Sequence, residues 1–217
     1  MDAVAHDATM LPNDLLAAAA VSRAALEPAL DLDWRVPAGD LECSCRHTLD
    51  HIFEALIFYA GMLATRSPEL RETGGINTAG IPLADALTMV ETNAAILSEV
   101  ARAAPPEARA FHWNGMTDAS GFVAMGCEEI LMHSADIAQG LGLTLRPPAD
   151  LAGRLRARLF PWAPTEVDPW DALRWAAGRM ALPAHPRLGT DWGWHCAPLA
   201  EWDGTIAKAK WPVWPVD

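Results

Sequence analysis

The stretch that decides the fold is Gly121–Gly142, with the sequence GFVAMGCEEILMHSADIAQGLG. Its apolar spacing predicts one helix that is buried over most of its surface. Gly140 and Gly142 predict the end of that helix, because glycine adopts the left-handed C-cap conformation without steric cost. Glu129 and His133 are four residues apart, so they share one helix face. A carboxylate and an imidazole packed against an apolar core need a partner, since an unpaired buried charge is costly. A metal ion or a basic residue would supply it.

The residues before this stretch predict three more long helices. They are expected at about 13–30, 44–65 and 83–104. Asn13 and Ser44 are the predicted N-caps of the first two, since both side chains can accept hydrogen bonds from the first helical turn. Four helices in sequence, with connections long enough for antiparallel or crossover packing, indicate an all-α four-helix bundle. We expect this bundle to cover residues 10–145.

The pattern changes beyond residue 145. A shorter helix is expected at about 149–160. Another should begin at Asp168 and Pro169, with aspartate as the cap and proline in the first helical position, and run to about Leu182. The last 35 residues are rich in Pro, Gly and Trp and show no periodicity. Because disordered segments are poor in aromatic residues, we expect residues 146–217 to form a helical and irregular, Trp-rich extension packed on the bundle.

The charge and composition of the chain limit the classes of partner and the compartment that we expect. The net charge of −12 and the pI of about 4.9 argue against binding to nucleic acid or to an anionic membrane surface. The N-terminal MDAVAHDATM lacks the basic and apolar parts of a secretory signal, and the longest apolar run, Ile52–Ala64, is too short to cross a bilayer. Four cysteines give no disulfide framework for 217 residues. We therefore expect a cytoplasmic protein with free thiols, and the sequence leaves both a monomer and a homodimer open.

A third candidate ligand lies on the second predicted helix at His51. It precedes Ala55 on the inward face of that helix, whose apolar stripe also includes Tyr59. Metal sites in bundles draw ligands from facing helices. Together with Glu129 and His133, His51 would form a three-ligand set that leaves a fourth position open on zinc for water or a substrate atom. The alternative is that His51 is a hydrogen-bonded core residue and that the Glu–His spacing is a coincidence.

Other histidines and cysteines offer weaker alternatives. Cys43, Cys45 and His47 alternate along one segment and could hold a metal if it were extended. That segment runs into a helix start at Ser44, and no second pair of ligands lies nearby. His47 falls in the first helical turn, where side chains usually face solvent, so we predict that it is not a ligand. His195 could line a pocket, but packing of the tail is the favoured interpretation.

The two helices that carry the candidate ligands resemble a known family. In DWRVPAGDLECSCRHTLDHIFEALIFYAGMLA, a tryptophan and a serine cap precede a histidine that lies seven residues after the cap. In CEEILMHSADIAQGLGL, a Glu–x3–His–x2–Asp element is followed by Leu-Gly. Over about residues 10–145 this pattern resembles the N-terminal domain of mycothiol-dependent maleylpyruvate isomerases, a branch of the DinB-like metal-binding helical bundles. The departures are Cys43, where the family usually has an aromatic residue, and His47, where an acidic or polar residue is common.

The resemblance implies a ligand set and a reaction class. It places the metal ligands at His51, Glu129 and His133, and it implies that Asp136 supports a ligand rather than binding the metal. The implied cofactors are a divalent ion, zinc or similar, and a low-molecular-weight thiol as cosubstrate. The thiol would attack a small electrophile, giving thiol transfer or thiol-assisted isomerisation. The alternative is a non-catalytic metal-bearing bundle that acts as a small-molecule binding or interaction module, because a fold alone does not determine function.

Overall fold

The computed structural model describes residues 9–71, 78 and 80–208. Within these residues the chain forms six α-helices, two short 3-10 turns and no β-strand, which confirms the all-α class. The helices are α1 (Pro12–Leu26), α2 (Cys45–Thr65), α3 (Leu83–Ala103), α4 (Ala119–Gly140), α5 (Ala149–Leu159) and α6 (Pro169–Ala176). None of these helices combines the length and the apolar character that crossing a membrane requires.

The first four helices form the bundle, with α4 at its centre. Both α1 and α2 pack against α3 and α4, which places α1 and α2 at opposite corners. Gly126 marks the point where the other three helices approach α4 most closely. A Cβ atom built there would lie 2.7 Å from a Leu15 methyl, 2.9 Å from Leu97 and 3.1 Å from Leu56. Because real Cβ atoms avoid such distances, a glycine lets leucines from α1, α2 and α3 meet on α4.

The predicted start of α2 is confirmed, whereas that of α1 is wrong. Ser44 caps α2 through its hydroxyl, which accepts a hydrogen bond from the backbone of His47. Asn13 is not the cap of α1, because Pro12 already occupies the first helical position, where its missing N–H costs nothing. The Asp14 carboxylate instead accepts a hydrogen bond from the backbone N–H that precedes the helix. Asn13 accepts a hydrogen bond from Arg102 of α3.

The ends of α4 differ slightly from the expected ones. The helix begins at Ala119, two residues before the expected start, because the Asp118 carboxylate caps it there. Gly142 adopts a φ of 73°, which confirms the left-handed conformation expected there. Gly140 is still helical, and its role is close packing. A Cβ atom at Gly140 would lie 2.2 Å from the carbonyl oxygen of Pro37, so the connector before α2 depends on a glycine at this position.

The structure shortens the last predicted helix. Asp168 caps α6 as expected, accepting hydrogen bonds from two backbone N–H groups. The helix then ends at Ala176, six residues before the expected Leu182. Gly178 has a φ of 71°, and this left-handed residue turns the chain away from the helix axis.

The described part of the extension packs on the bundle. Helix α5 packs against α4 of the bundle, and α6 packs against α5. Arg158 of α5 is buried and binds the Asp118 carboxylate at 2.8 Å. It also donates to the carbonyls of His195 and Cys196, which attaches the tail to the start of α4. The expected domain boundary at residue 145 stays a prediction, and residues 209–217 of the tail lie outside the described residues.

Candidate metal centre

The three predicted ligands meet where α2 faces α4. His51 Nε2 lies 3.2 Å from Glu129 Oε2, and His133 Nε2 lies 3.2 Å from the same oxygen. The two imidazole rings are nearly perpendicular, with centroids 5.0 Å apart. One donor atom from each residue lies within 4.8 Å of the other two. No other group of three or more such residues occurs in the ranges that the structure describes.

These spacings fit the coordination shell of a divalent metal. Nitrogen and oxygen ligands bind zinc at about 2.0–2.2 Å, which separates two ligands of a tetrahedral shell by roughly 3.3–3.6 Å. The two 3.2 Å separations therefore need little adjustment to admit an ion. Two imidazole nitrogens and one carboxylate oxygen are donors that zinc and similar divalent ions accept. Three protein donors also leave a coordination position for a small molecule.

Asp136 lies behind His133, in the supporting position that the family resemblance implies. Its Oδ2 lies 3.3 Å from His133 Nδ1 and 2.9 Å from Nη2 of Arg179. A carboxylate there favours the proton on Nδ1, which would leave Nε2 to coordinate a metal when one is bound. Arg179 follows α6 in the extension, and nothing in the sequence pattern indicates its part in the site.

Tyr59 holds the other oxygen of Glu129. Its hydroxyl group donates a hydrogen bond of 2.7 Å to Glu129 Oε1, while Oε2 faces the two imidazoles. The sequence analysis counts Tyr59 only as part of an apolar stripe, and its ring is indeed buried. Tyr59 and Glu129 are 70 residues apart in the sequence, and helical periodicity carries no signal over that separation.

The electrostatics of the cluster favour a cation between these groups. Burial opposes charge on Glu129, but the imidazoles of His51 and His133 lower its pKa well below the usual value. Burial also lowers the pKa of His133, yet the carboxylates of Asp136 and Glu129 outweigh that effect and raise it to about 9. The site therefore stabilises positive charge next to Glu129, as a proton or as a metal ion.

The cluster opens into a cavity of about 390 Å³. Aromatic side chains form much of its wall, namely those of Tyr59, Trp113, Trp192 and Trp194. Trp113 stacks on Phe58 with ring centroids 4.9 Å apart. A mostly apolar wall around a few polar groups is typical of small-molecule sites.

His112 is a second cavity residue without a sequence signal. It lies in the loop before α4, is 1% exposed, and contacts the Tyr59 ring. Its Nδ1 accepts a hydrogen bond from the backbone of Asn114, so the neutral ring carries its proton on Nε2. Burial lowers the pKa of His112 to about 4. The cavity therefore contains a neutral imidazole with one N–H donor.

The remaining candidates lie outside the donor cluster. His47 and Cys43 are half-buried residues of the cavity wall, so the expectation that His47 faces solvent is wrong. Cys45 points away, with its sulfur 3.7 Å from the carbonyls of Pro37 and Ile137, and burial raises the pKa of its thiol to about 11. These three residues form no metal-binding group in the described structure, because the cap of α2 ends any extended segment there.

His195 packs within the tail, as the favoured interpretation expects. Its backbone N–H donates to the carbonyl of Leu159, and its Nε2 lies 3.3 Å from the carbonyl of Pro198.

No family model, curated protein or solved structure matches this chain. Any functional interpretation therefore rests on the geometry of the donor cluster and its cavity.

Proposed function

We propose that the protein is a divalent-metal-dependent enzyme that uses a low-molecular-weight thiol for thiol transfer to, or thiol-assisted isomerisation of, a small electrophile. His51, Glu129 and His133 would hold the metal, which would be zinc or a similar divalent ion. When bound, the metal favours the thiolate form of a thiol that coordinates it. The observation that carries this proposal is the convergence of three protein donors, rather than four, on the wall of a 390 Å³ cavity.

The surrounding residues would fix the ligands and exclude water. Tyr59 orients Glu129 through a hydrogen bond, and the Asp136 carboxylate forms an ion pair beside His133 Nδ1, so both candidate ligands are already placed before a metal binds. The tryptophans of the cavity offer an apolar surface to the carbon skeleton of the electrophile. The neutral His112 offers an N–H group to a polar atom of a bound molecule.

The resemblance to mycothiol-dependent maleylpyruvate isomerases supplies the thiol in this proposal. A non-catalytic metal-bearing bundle of DinB-like type would use the same three ligands. It differs in that it needs no coordination position for a small molecule. Thiol binding at the metal therefore separates the two functions.

Cobalt substitution tests the proposal, because the visible spectrum of Co²⁺ reports its ligands. We expect 2-mercaptoethanol to change the spectrum of the cobalt protein. The zinc protein should also accelerate thiol transfer to 1-chloro-2,4-dinitrobenzene, and His51→Ala should abolish that acceleration. A cobalt spectrum that no thiol perturbs would instead support the non-catalytic bundle.

A further inference from the structure

Glu128 is a glutamate of the cavity wall that does not belong to the donor cluster. It precedes the ligand Glu129 on α4, its residue is 2% exposed, and it lines the same cavity. Its Oε1 atom is buried and has no hydrogen-bond partner among the described residues. A buried carboxyl oxygen without a partner loses its hydration and gains nothing in return. Because the residue lines the cavity, a molecule bound there can supply that partner.

The arginine of this cavity wall, Arg179, is already engaged. Arg179 directs Nε and Nη2 to Asp136 and Nη1 to the carbonyl of Ala177. Its guanidinium also lies 5.8 Å from the ring centroid of Trp192. These contacts bind Arg179 to Asp136, which supports His133, and to the extension. None of them reaches Glu128 Oε1, so that atom needs a different donor.

The position of Glu128 defines which molecule could supply that donor. Glu128 and Glu129 are consecutive residues that line one cavity, so a molecule of a few atoms can reach both the metal ligands and Glu128. Tryptophan and tyrosine side chains form much of the remaining wall. A molecule that combines an apolar part with an O–H or N–H group fits this combination.

We propose, on the basis of the function proposed above, that Glu128 Oε1 accepts a hydrogen bond from the thiol cosubstrate. The cavity would then select thiols that carry an O–H or N–H donor close to the sulfur. It would discriminate against purely apolar thiols, which leave Oε1 unpaired.

Three thiols of equal size test this selection in the cobalt protein. 2-Mercaptoethanol, cysteamine and 1-propanethiol have four heavy atoms each and differ only in the terminal group. We expect the wild-type protein to bind the first two about tenfold more tightly than 1-propanethiol, because a hydrogen bond to a buried carboxyl group is made in two cases and lost in the third.

Variants assign the preference to Glu128 itself. The thiols also differ in acidity, which affects their binding to the metal in every variant. We therefore compare between proteins one ratio, the dissociation constant of 1-propanethiol divided by that of 2-mercaptoethanol. Glu128→Leu should reduce the ratio about tenfold, whereas Glu128→Gln, which keeps an acceptor oxygen, should retain most of it. Glu54→Leu is the matched control, because Glu54 is a half-buried glutamate of α2 near His51 that does not line the cavity.

The outcomes distinguish this inference from the proposed function. A wild-type protein that binds 1-propanethiol as tightly as 2-mercaptoethanol overturns the role of Glu128, and so does a Glu128→Leu protein with the wild-type ratio. If Glu128→Leu does not fold, Glu128→Ala takes its place under the same criteria. A cobalt protein that responds to none of these thiols rejects the thiol-dependent function as a whole.

Discussion

Asp136 Oδ2 lies 3.3 Å from His133 Nδ1, on the opposite side of the imidazole from Glu129. The two residues are three positions apart on α4, and Arg179 holds the carboxylate from the extension. Supporting contacts of this kind set the orientation and basicity of a metal-binding histidine. The extension therefore contributes to a candidate site whose three proposed ligands all belong to the bundle.

Removing the charge of Asp136 should weaken metal binding. We expect Asp136→Asn to lower the affinity for zinc by about 10–100-fold, because an amide holds the His133 proton less strongly than a carboxylate does. Competition with a chromophoric chelator measures this affinity. Asp150→Asn, on an exposed position of α5, is the control and should bind zinc as the wild type does. Equal affinities in the two variants would contradict the role given to Asp136.

Tyr59 provides a spectroscopic probe because it is the only tyrosine of the chain. Burial, followed by the charge of Glu129 and the hydrogen bond to it, raises the pKa of Tyr59 well above 10. We expect no tyrosinate absorption near 295 nm in the folded protein at pH 10.5, with the signal appearing only on unfolding. Tyr59→Phe supplies the blank. Ionisation with an ordinary midpoint near pH 10 would show that the hydroxyl is accessible to solvent.

The sequence was sufficient for most of the helices. Ser44 and Asp168 are predicted caps whose side chains accept the expected hydrogen bonds, since the signal of a cap is local. The end of α6 was missed, because the apolar spacing continues to Leu182 while Gly178 turns the chain earlier. Asn13 was a plausible cap by residue type, but a proline one position earlier already starts the helix.

The site was only partly predictable, for a related reason. His51, Glu129 and His133 lie on inward faces of helices, so periodicity indicates them. Tyr59 looks like any core aromatic residue until Glu129 is known to lie beside its hydroxyl. His112 lies in a loop, where no periodicity indicates which side chains point inward. Its place in the cavity depends on tertiary packing alone.

His112 predicts a loss of stability in mild acid. Its pKa is about 4 in the folded protein because of burial, against an ordinary value of 6.5. Above pH 6.5 the ring is neutral in both states, so its contribution is fully present. As the pH falls from 6.5 to about 4, the unfolded chain binds the proton first and the folded state loses about 3 kcal/mol. Below pH 4 both states are protonated and the loss stops.

Urea unfolding at pH 7 and at pH 4.5 measures this effect. The free energy of unfolding should fall by less in His112→Phe than in the wild type, because the variant lacks the imidazole that titrates. The carboxyl groups of the chain contribute equally to both proteins. Identical pH dependence in the two proteins would mean that His112 is accessible to protons in the folded state.

The extension should be required for the stability of the bundle. Deleting residues 184–217 removes buried Trp194 and the two tail carbonyls that Arg158 binds. We expect a clear fall in melting temperature or an insoluble protein. Trp194→Ala isolates the packing contribution and should cost about 3–5 kcal/mol, as truncation of a buried aromatic residue does. A deletion that melts like the full chain would show the tail to be a separate linker.

Metal content tests the central claim most directly. After dialysis against metal-free buffer, plasma emission should find about one divalent metal ion per chain in the wild-type protein. His51→Ala, Glu129→Ala and His133→Ala should each lose most of it, because each removes one of only three protein ligands. His47→Ala, which changes another histidine of the same cavity, should keep the wild-type content. Full occupancy in the three ligand variants, or a wild-type protein that takes up no metal when zinc is supplied, would contradict the account.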